Sequence, residues 1–346
     1  MPTTPAMFDL LPRLQPTPKA GVRSELKKRN PAKVLSAMLT MLVIGHVGLA
    51  IFAEVSPVLR DPACADKLAK LKRLPTQPKL IQFGSSRTLL GFKPDEFDEP
   101  AMNFGLPASG LFTTAISLQR VLDSGTIPEV VVIELLPTML MHGVEEQFLG
   151  TERLSGCELR FLKSLGFDDA VTGRKQVQRL ATPWYSLRTQ VLGRVMPSWL
   201  PEENRHDWGR KTDDSGWATP PRQSIDSEER NLREAKVQEE YGNLLATLTP
   251  GERAFNTARW IEMTCSDRSI RLVFVLMPEG GNFRAMYGPG SEERLQTWLK
   301  QLNAPVIDAR RWLEDSDMYD GHHAFARGAG KYTRRLHREL CSGGTP

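Results

Sequence analysis

Residues 34–53, VLSAMLTMLVIGHVGLAIFA, run for 20 positions without a formal charge. At about 1.5 Å of rise per residue, a helix of that length spans a hydrocarbon core of about 30 Å. This run predicts a transmembrane helix over residues 34–54. A cleaved signal peptide is the competing reading, but its apolar region normally extends over only about 7–15 residues. The "IFA" before Glu54 is also a poor cleavage site, so we read an uncleaved anchor.

The flanks orient it. Arg23, Lys27, Lys28, Arg29 and Lys33 precede the run, whereas Arg60 is the one basic residue in the ten positions after it. The positive-inside rule then keeps the N-terminus in the cytoplasm and exports the chain beyond the helix. The expected location is the inner (cytoplasmic) membrane, single-pass, with the C-terminal domain periplasmic or extracellular. Residues 1–33 are rich in Pro, Thr and basic residues and read as a disordered cytoplasmic tail. Residues 55–78 contain the amphipathic "DKLAKLKRL" and read as a stalk.

Residues 79–340 are long enough for one large domain. Short apolar runs at 79–84, 101–105, 129–137, 270–278 and 304–309 alternate with helical patterns at 111–125, 291–303 and 328–340. The run "EVVVIELLP" has the β-branched content of a central strand. Strands alternating with helices predict an α/β fold with a parallel sheet. Residues 140–250 break the rhythm and read as a mostly helical insertion, and residues 341–346 as a tail. The insertion's Trp184, Trp199, Trp208 and Trp217 either line a sugar-stacking surface or pack the insertion onto the sheet, and we favour packing. A net charge of +4 from scattered basic residues argues against a nucleic-acid partner. Cys64, Cys157, Cys265 and Cys341 have no metal-binding spacing and leave up to two disulfides open, with three connectivities.

Ligands of open α/β sheets bind beyond the carboxyl ends of the strands. In "LIQFGSSRTLLGF" a strand runs into Ser85-Ser86, which places a hydroxyl at that edge with backbone N–H groups beside it. The same pattern also makes ordinary turns and helix caps. A serine nucleophile needs a base, and the base needs an orienting group. Asp320 and His323 in "YDGHHAF" have the D-x-x-H spacing that lets a carboxylate hold imidazole Nδ1 and leave Nε2 for the serine. The glycine-rich "MPEGGNFRAMYGPG" lacks phosphate-loop spacing and reads as a loop over the site. Arg87 and Arg284 are candidates for a substrate anion, against the commoner solvated surface guanidinium.

Taken in order, Gly84-Ser85-Ser86, "NFGLPASG" and D-x-x-H before the last helix resemble the SGNH/GDSL hydrolase superfamily. The chain resembles its membrane-anchored exported branch in particular, which includes the teichoic acid D-alanylation protein and the acetyltransferases of alginate synthesis. That resemblance implies a three-layer flavodoxin-like fold, with Ser86 as nucleophile, His323 as base and Asp320 as orienting acid. It also places oxyanion or substrate contacts at Asn103 and Gly105, the second block's own N–H donor falling near Ala108 or Gly110, and puts Ser85 where the family often has aspartate; with Ser85 and the residue-based candidate Arg87, these make up the expected oxyanion and substrate-binding set. No cofactor and no metal are implied. The expected partners are the bilayer, a cell-envelope polysaccharide and a membrane-bound O-acyltransferase. The chain departs from the pattern at the third block, where "VVVIELLPTML" lacks the usual oxyanion-hole asparagine. Losing one such donor typically costs about 2.7–4 kcal/mol of transition-state stabilisation. A non-catalytic assembly subunit of an envelope polysaccharide system is the alternative.

Overall fold

The computed structural model describes residues 31–56, 61–145, 154–167, 212–220 and 224–342, with scattered positions between 177 and 199. Trp184, Trp208 and residues 1–30 of the expected tail lie outside them. Helix α1 (Pro31–Val55) contains a stretch, Pro31–Phe52, long and apolar enough to cross a membrane. A signal sequence passes the same test of length and composition. Its apolar side chains, Leu39, Met41 and Leu42 among them, are exposed.

The chain from His46 onward forms a separate compact unit. Helix α2 (Pro62–Arg73) leads into strand β1 (Leu80–Gly84), helix α3 (Ser86–Gly91) and strand β2 (Ala101–Gly105). Helix α4 (Leu111–Asp123), strand β3 (Val130–Glu134) and helix α5 (Gly156–Ser164) come next. Then come α6 (Ser227–Ala246), α7 (Glu252–Ser266), β4 (Arg271–Leu276), α8 (Gly281–Arg284), α9 (Ser291–Leu299), β5 (Val306–Asp308) and α10 (Ala326–Ser342). The five strands form one parallel sheet in the order β2-β1-β3-β4-β5. This is the flavodoxin-like doubly wound order, whose topological switch point lies between β1 and β3.

Side-chain alternation along the strands builds the two outer layers. Ile81, Phe83, Val131, Ile133, Phe274 and Leu276 face the larger core with Leu118 and Val121 of α4 and Ala258 and Ile261 of α7. Leu80, Val132, Val273 and Val275 face the other way, onto Tyr332, Leu336 and Leu340 of α10. Both faces are therefore apolar, which explains why the central strands read as unbroken hydrophobic runs.

The segment expected to be a stalk is instead partly core. Cys64 and Leu71 of α2 join the larger cluster. Lys67, one helical turn beyond Cys64, is buried as well, and its Nζ donates to Asn103 O at 2.8 Å and Gly216 O at 2.6 Å. This ammonium stitches α2 and residues 212–218 to the open side of β2. Asn103 N donates to Ser215 O at 2.8 Å, and Ala218 N to Leu89 O at 3.1 Å. Trp217 is buried there, with Nε1 donating to Leu90 O at 2.8 Å. Trp199, by contrast, is exposed. All four cysteines are free, and burial pushes the Cys64 and Cys265 thiols up to about 12.

Burial, with Lys70 adding to it, pushes Lys67 down to about 7. A neutral amine still supplies two N–H donors for the two carbonyls. Because the unfolded lysine binds its proton up to about pH 10.4, the unfolded state holds more protons above pH 7 and stability rises with pH there. Unfolded thiols begin to oppose this near about pH 8.5. The unfolding free energy from urea titrations is expected to climb between pH 7 and about 8.5, by at most roughly 1.4 kcal/mol per pH unit. The climb should vanish in Lys67→Met; equal slopes in both proteins would show that Lys67 does not titrate in this range.

Candidate active site

Strand β1 ends at Gly84, and Ser85 caps α3 by accepting the Arg87 N–H at 3.1 Å. Ser86, the first residue of that helix, is thereby held at the carboxyl edge of the sheet, beside the switch point. Its Oγ lies 2.8 Å from His323 Nε2. His323 Nδ1 lies 2.8 Å from Asp320 Oδ2, while Asp320 Oδ1 accepts the backbone N–H groups of His323 at 2.8 Å and His322 at 3.2 Å. The three residues expected from sequence thus stand in hydrogen-bonded order.

The D-x-x-H loop owes its shape to two local devices. Gly321 has φ +88, a left-handed conformation that favours glycine. A short antiparallel bridge joins Met318 to Ala324, and Tyr319 N donates to His323 O at 2.6 Å. Asp320 is 9% exposed. Burial opposes its ionisation, but the adjacent His323, through its ring and its side-chain and backbone donors, outweighs it and holds the carboxyl well below the usual range. Asp320 is therefore an anion fixed against Nδ1, which sets the tautomer that presents a bare Nε2 to Ser86.

The residues expected to bind substrate or oxyanion are placed differently. Ser85 is buried, its N–H donating to Glu134 Oε2 at 2.7 Å and its hydroxyl 3.0 Å from both carboxylate oxygens, so it shapes the turn. Asn103 is buried and spends Nδ2 on the carbonyls of Thr88, Leu89 and Phe92, which clamps α3 to β2. Its Oδ1 accepts the Gly105 N–H at 2.8 Å, so that donor is not open to an oxyanion. Glycine is required at 105 because a Cβ there would run into the Leu89 backbone and Ser85 O. Arg87 is 2% exposed rather than on the surface. Its Nη2 donates to Met277 O and Pro278 O, and its guanidinium lies 3.7 Å from Glu134 and 3.6 Å from Glu279. Among the described residues, the backbone N–H groups of Ser86, Ala108 and Gly110 have no hydrogen-bond partner, which leaves them as the open donors of these two blocks.

Three residues of the site escaped the sequence reading. Glu134 terminates β3 beneath the Ser85 turn and also accepts from Thr88 Oγ1 at 2.8 Å. A carboxylate closing a β-branched run at the switch point was a usable signal. Glu279 is fully buried, and burial pushes its carboxyl up against the pull of Arg87 and Arg310. His322 is buried between Phe283, Tyr241 and the His323 ring, 4.0 Å away. Its Nδ1 lies 3.3 Å from Asp320 Oδ1 without hydrogen-bond geometry. Burial, helped by His323 and Arg87, keeps this imidazole well below its ordinary pKa and hence neutral. Asp320, His322 and His323 bring three metal-capable ligand atoms within 4.8 Å of one another. The acid–base loop is buttressed from the insertion: Arg230 Nη1 on α6 donates to Asp315 O and Met318 O, and Arg233 stacks 4.2 Å over the Tyr319 ring.

No protein-family model and no curated protein matches the chain. Among solved structures it is similar to a candidate acylhydrolase from Bacteroides fragilis, at 10% identity and a TM-score of 0.36 over 80% of this chain and 94% of the other. It is also similar to a candidate platelet activating factor from Streptococcus pneumonia, at 10% identity and a TM-score of 0.37 over 88% and 99% of the two chains. Likeness at this level fixes neither family nor activity.

Proposed function

We propose that the protein is a membrane-anchored, exported serine acyltransferase or esterase of the SGNH type, acting on acyl groups of a cell-envelope polysaccharide. The observation that carries this reading is the unbroken relay from Ser86 Oγ through His323 to Asp320, with both links at 2.8 Å. That spacing is the one proton transfer requires.

In the first half-reaction Ser86 Oγ attacks the acyl carbonyl as its proton moves to His323 Nε2. The tetrahedral oxyanion draws on the open N–H of Ser86 and on those of Ala108 or Gly110. When it collapses, the C–O bond to the leaving alcohol breaks, His323 returns the proton to that oxygen, and the acyl group stays on Ser86. An acceptor hydroxyl or water then gives its proton to His323 and takes the acyl group, which regenerates Ser86. Asp320 remains ionised throughout and stabilises the imidazolium. Anchoring by α1 raises the domain's effective concentration near a membrane-bound O-acyltransferase that delivers the acyl group, which suits transfer better than scavenging.

The second reading, a non-catalytic assembly subunit, is favoured by the Gly105 N–H already spent on Asn103 and by the absent third-block asparagine. Mass spectrometry of the full chain in detergent after brief exposure to an activated aryl acetate separates the two. The acyltransferase reading expects an acetyl group on Ser86, absent in His323→Ala. A peptide spanning residues 80–92 that stays unmodified while the aryl ester is intact would favour the assembly subunit.

A further inference from the structure

At the carboxyl edge of the sheet, beyond β4 and β5, lies a cavity of about 500 Å³ lined by Arg284, Tyr287, Glu292, Asp308, Arg310 and Arg311. That volume is within the range of small-molecule sites, about 300–1,000 Å³, but five of the six lining residues carry a charge, which most such sites do not show. Its charges are unevenly paired. Arg310 uses Nη1 and Nη2 on Glu292 at 2.6 and 2.7 Å, and Nε and Nη2 on Asp308 at 2.9 and 2.6 Å. Those bonds hold Glu292 below the usual carboxylate range and, against burial, Asp308 as well, so both acids stay ionised. Arg310 is thus fully committed. Arg284 gives Nη1 to two backbone carbonyls, Glu279 O and Arg310 O, which leaves its charge without a carboxylate. Arg311 is exposed and has no hydrogen bond or ion pair among the described residues. Three guanidinium groups face two carboxylates, a surplus of one positive charge concentrated on Arg284 and Arg311.

We propose that this cavity binds a sugar-sized ligand carrying one anionic group, a carboxylate or a phosphate. Arg311 and Arg284 take the anion by charge-assisted hydrogen bonds, while Glu292 and Asp308, whose four carboxylate oxygens each already accept from Arg310, take hydroxyl groups on the lone pairs that remain. A bare anion meets the same two negative groups with no hydroxyl to offer them, so the mixed lining favours a polyhydroxylated anion. The site is separate from Ser86 and does not depend on acyl chemistry there. A continuous set of contacts nevertheless joins the two. Tyr287 Oη donates to Glu279 Oε1 at 3.0 Å, Glu279 lies 3.6 Å from Arg87, and Gly280 N donates to Gly321 O at 2.7 Å beside Asp320.

The test is calorimetric titration of the full chain in detergent, at low ionic strength, with glucuronate, glucose 6-phosphate, glucose and inorganic phosphate. One or both anionic sugars are expected to bind at least about tenfold more tightly than glucose or inorganic phosphate, since one charge-assisted bond is worth about a factor of ten or more. The tighter of the two identifies the anionic group. Arg311→Gln and Arg284→Gln should each weaken that sugar by about tenfold, with thermal unfolding of the exposed Arg311 variant unchanged, while Ser86→Ala binds as the parent does. Glucose or inorganic phosphate binding as tightly as both sugars would overturn the proposal, as would unaltered affinity in both arginine variants. Loss of Ser86 acylation with sugar binding intact would sink the acyl-transfer reading alone.

Discussion

Ser86→Ala is expected to lower acyl release from an aryl ester by on the order of 10⁴-fold or more, with no measurable change in urea stability. If Ser86 and His323 serve as nucleophile and base they act as one unit, so His323→Ala should cost about as much and the double variant scarcely more. Asp320→Asn should also fall by about 10⁴-fold, because an amide favours the wrong imidazole tautomer. The stability control matters because Ser86 is partly exposed and, among the described residues, its hydroxyl bonds only to His323. A residual rate within tenfold of the parent in Ser86→Ala would remove the serine from the chemistry.

The second large effect belongs to a residue that never meets substrate. Glu134→Ala is expected to destabilise the fold by about 3–5 kcal/mol, the usual cost of breaking a buried ion pair from one side. The loss is steep because several groups depend on this one carboxylate: Ser85 N–H, Ser85 Oγ, Thr88 Oγ1 and the Arg87 guanidinium 3.7 Å away. Pairing Glu134→Leu with Arg87→Met removes both charges of this pair while also taking the guanidinium from Glu279, and a double-mutant cycle in urea with the two single variants measures the coupling, which should be favourable to the pair. Additive single effects would show that the two charges do not interact. Activity in Glu134→Ala should fall even where the protein stays folded, since the turn that aims Ser86 loses its anchor.

The sheet was legible because β1 to β4 are buried on both faces along most of their length and so appear as apolar runs within a few residues of their true ends. The relay was legible because a residue's place at a strand end and a three-residue spacing are local properties. What the sequence hid is long-range. Lys67 reads as one more basic residue of an amphipathic helix, and only the arrival of Gly216, 149 positions later, makes it a buried clamp. Arg87 reads as a surface cation until Glu279, far along the chain, closes over it. Asn103 and Gly105 match a functional pattern, but Asn103 spends its amide on the carbonyls of Thr88, Leu89 and Phe92 and on the Gly105 N–H, partners that the pattern does not disclose. Trp217 took the packing alternative, through a bond to Leu90 that spacing does not disclose.

The strap at residues 212–218 also bears on solubility. A parallel sheet of this kind has two edges, and a bare edge is a template on which a second molecule can add a strand. The β5 edge is only three residues long, too short to recruit much. The β2 edge has five residues, four of them buried, and would be the dangerous one. Lys67 and Ser215 shield it, but the chain makes β2 more than 100 residues before the strap. Until then the nascent protein presents an uncovered strand, and the interval between β2 and the strap is the period in which it is most exposed to aggregation.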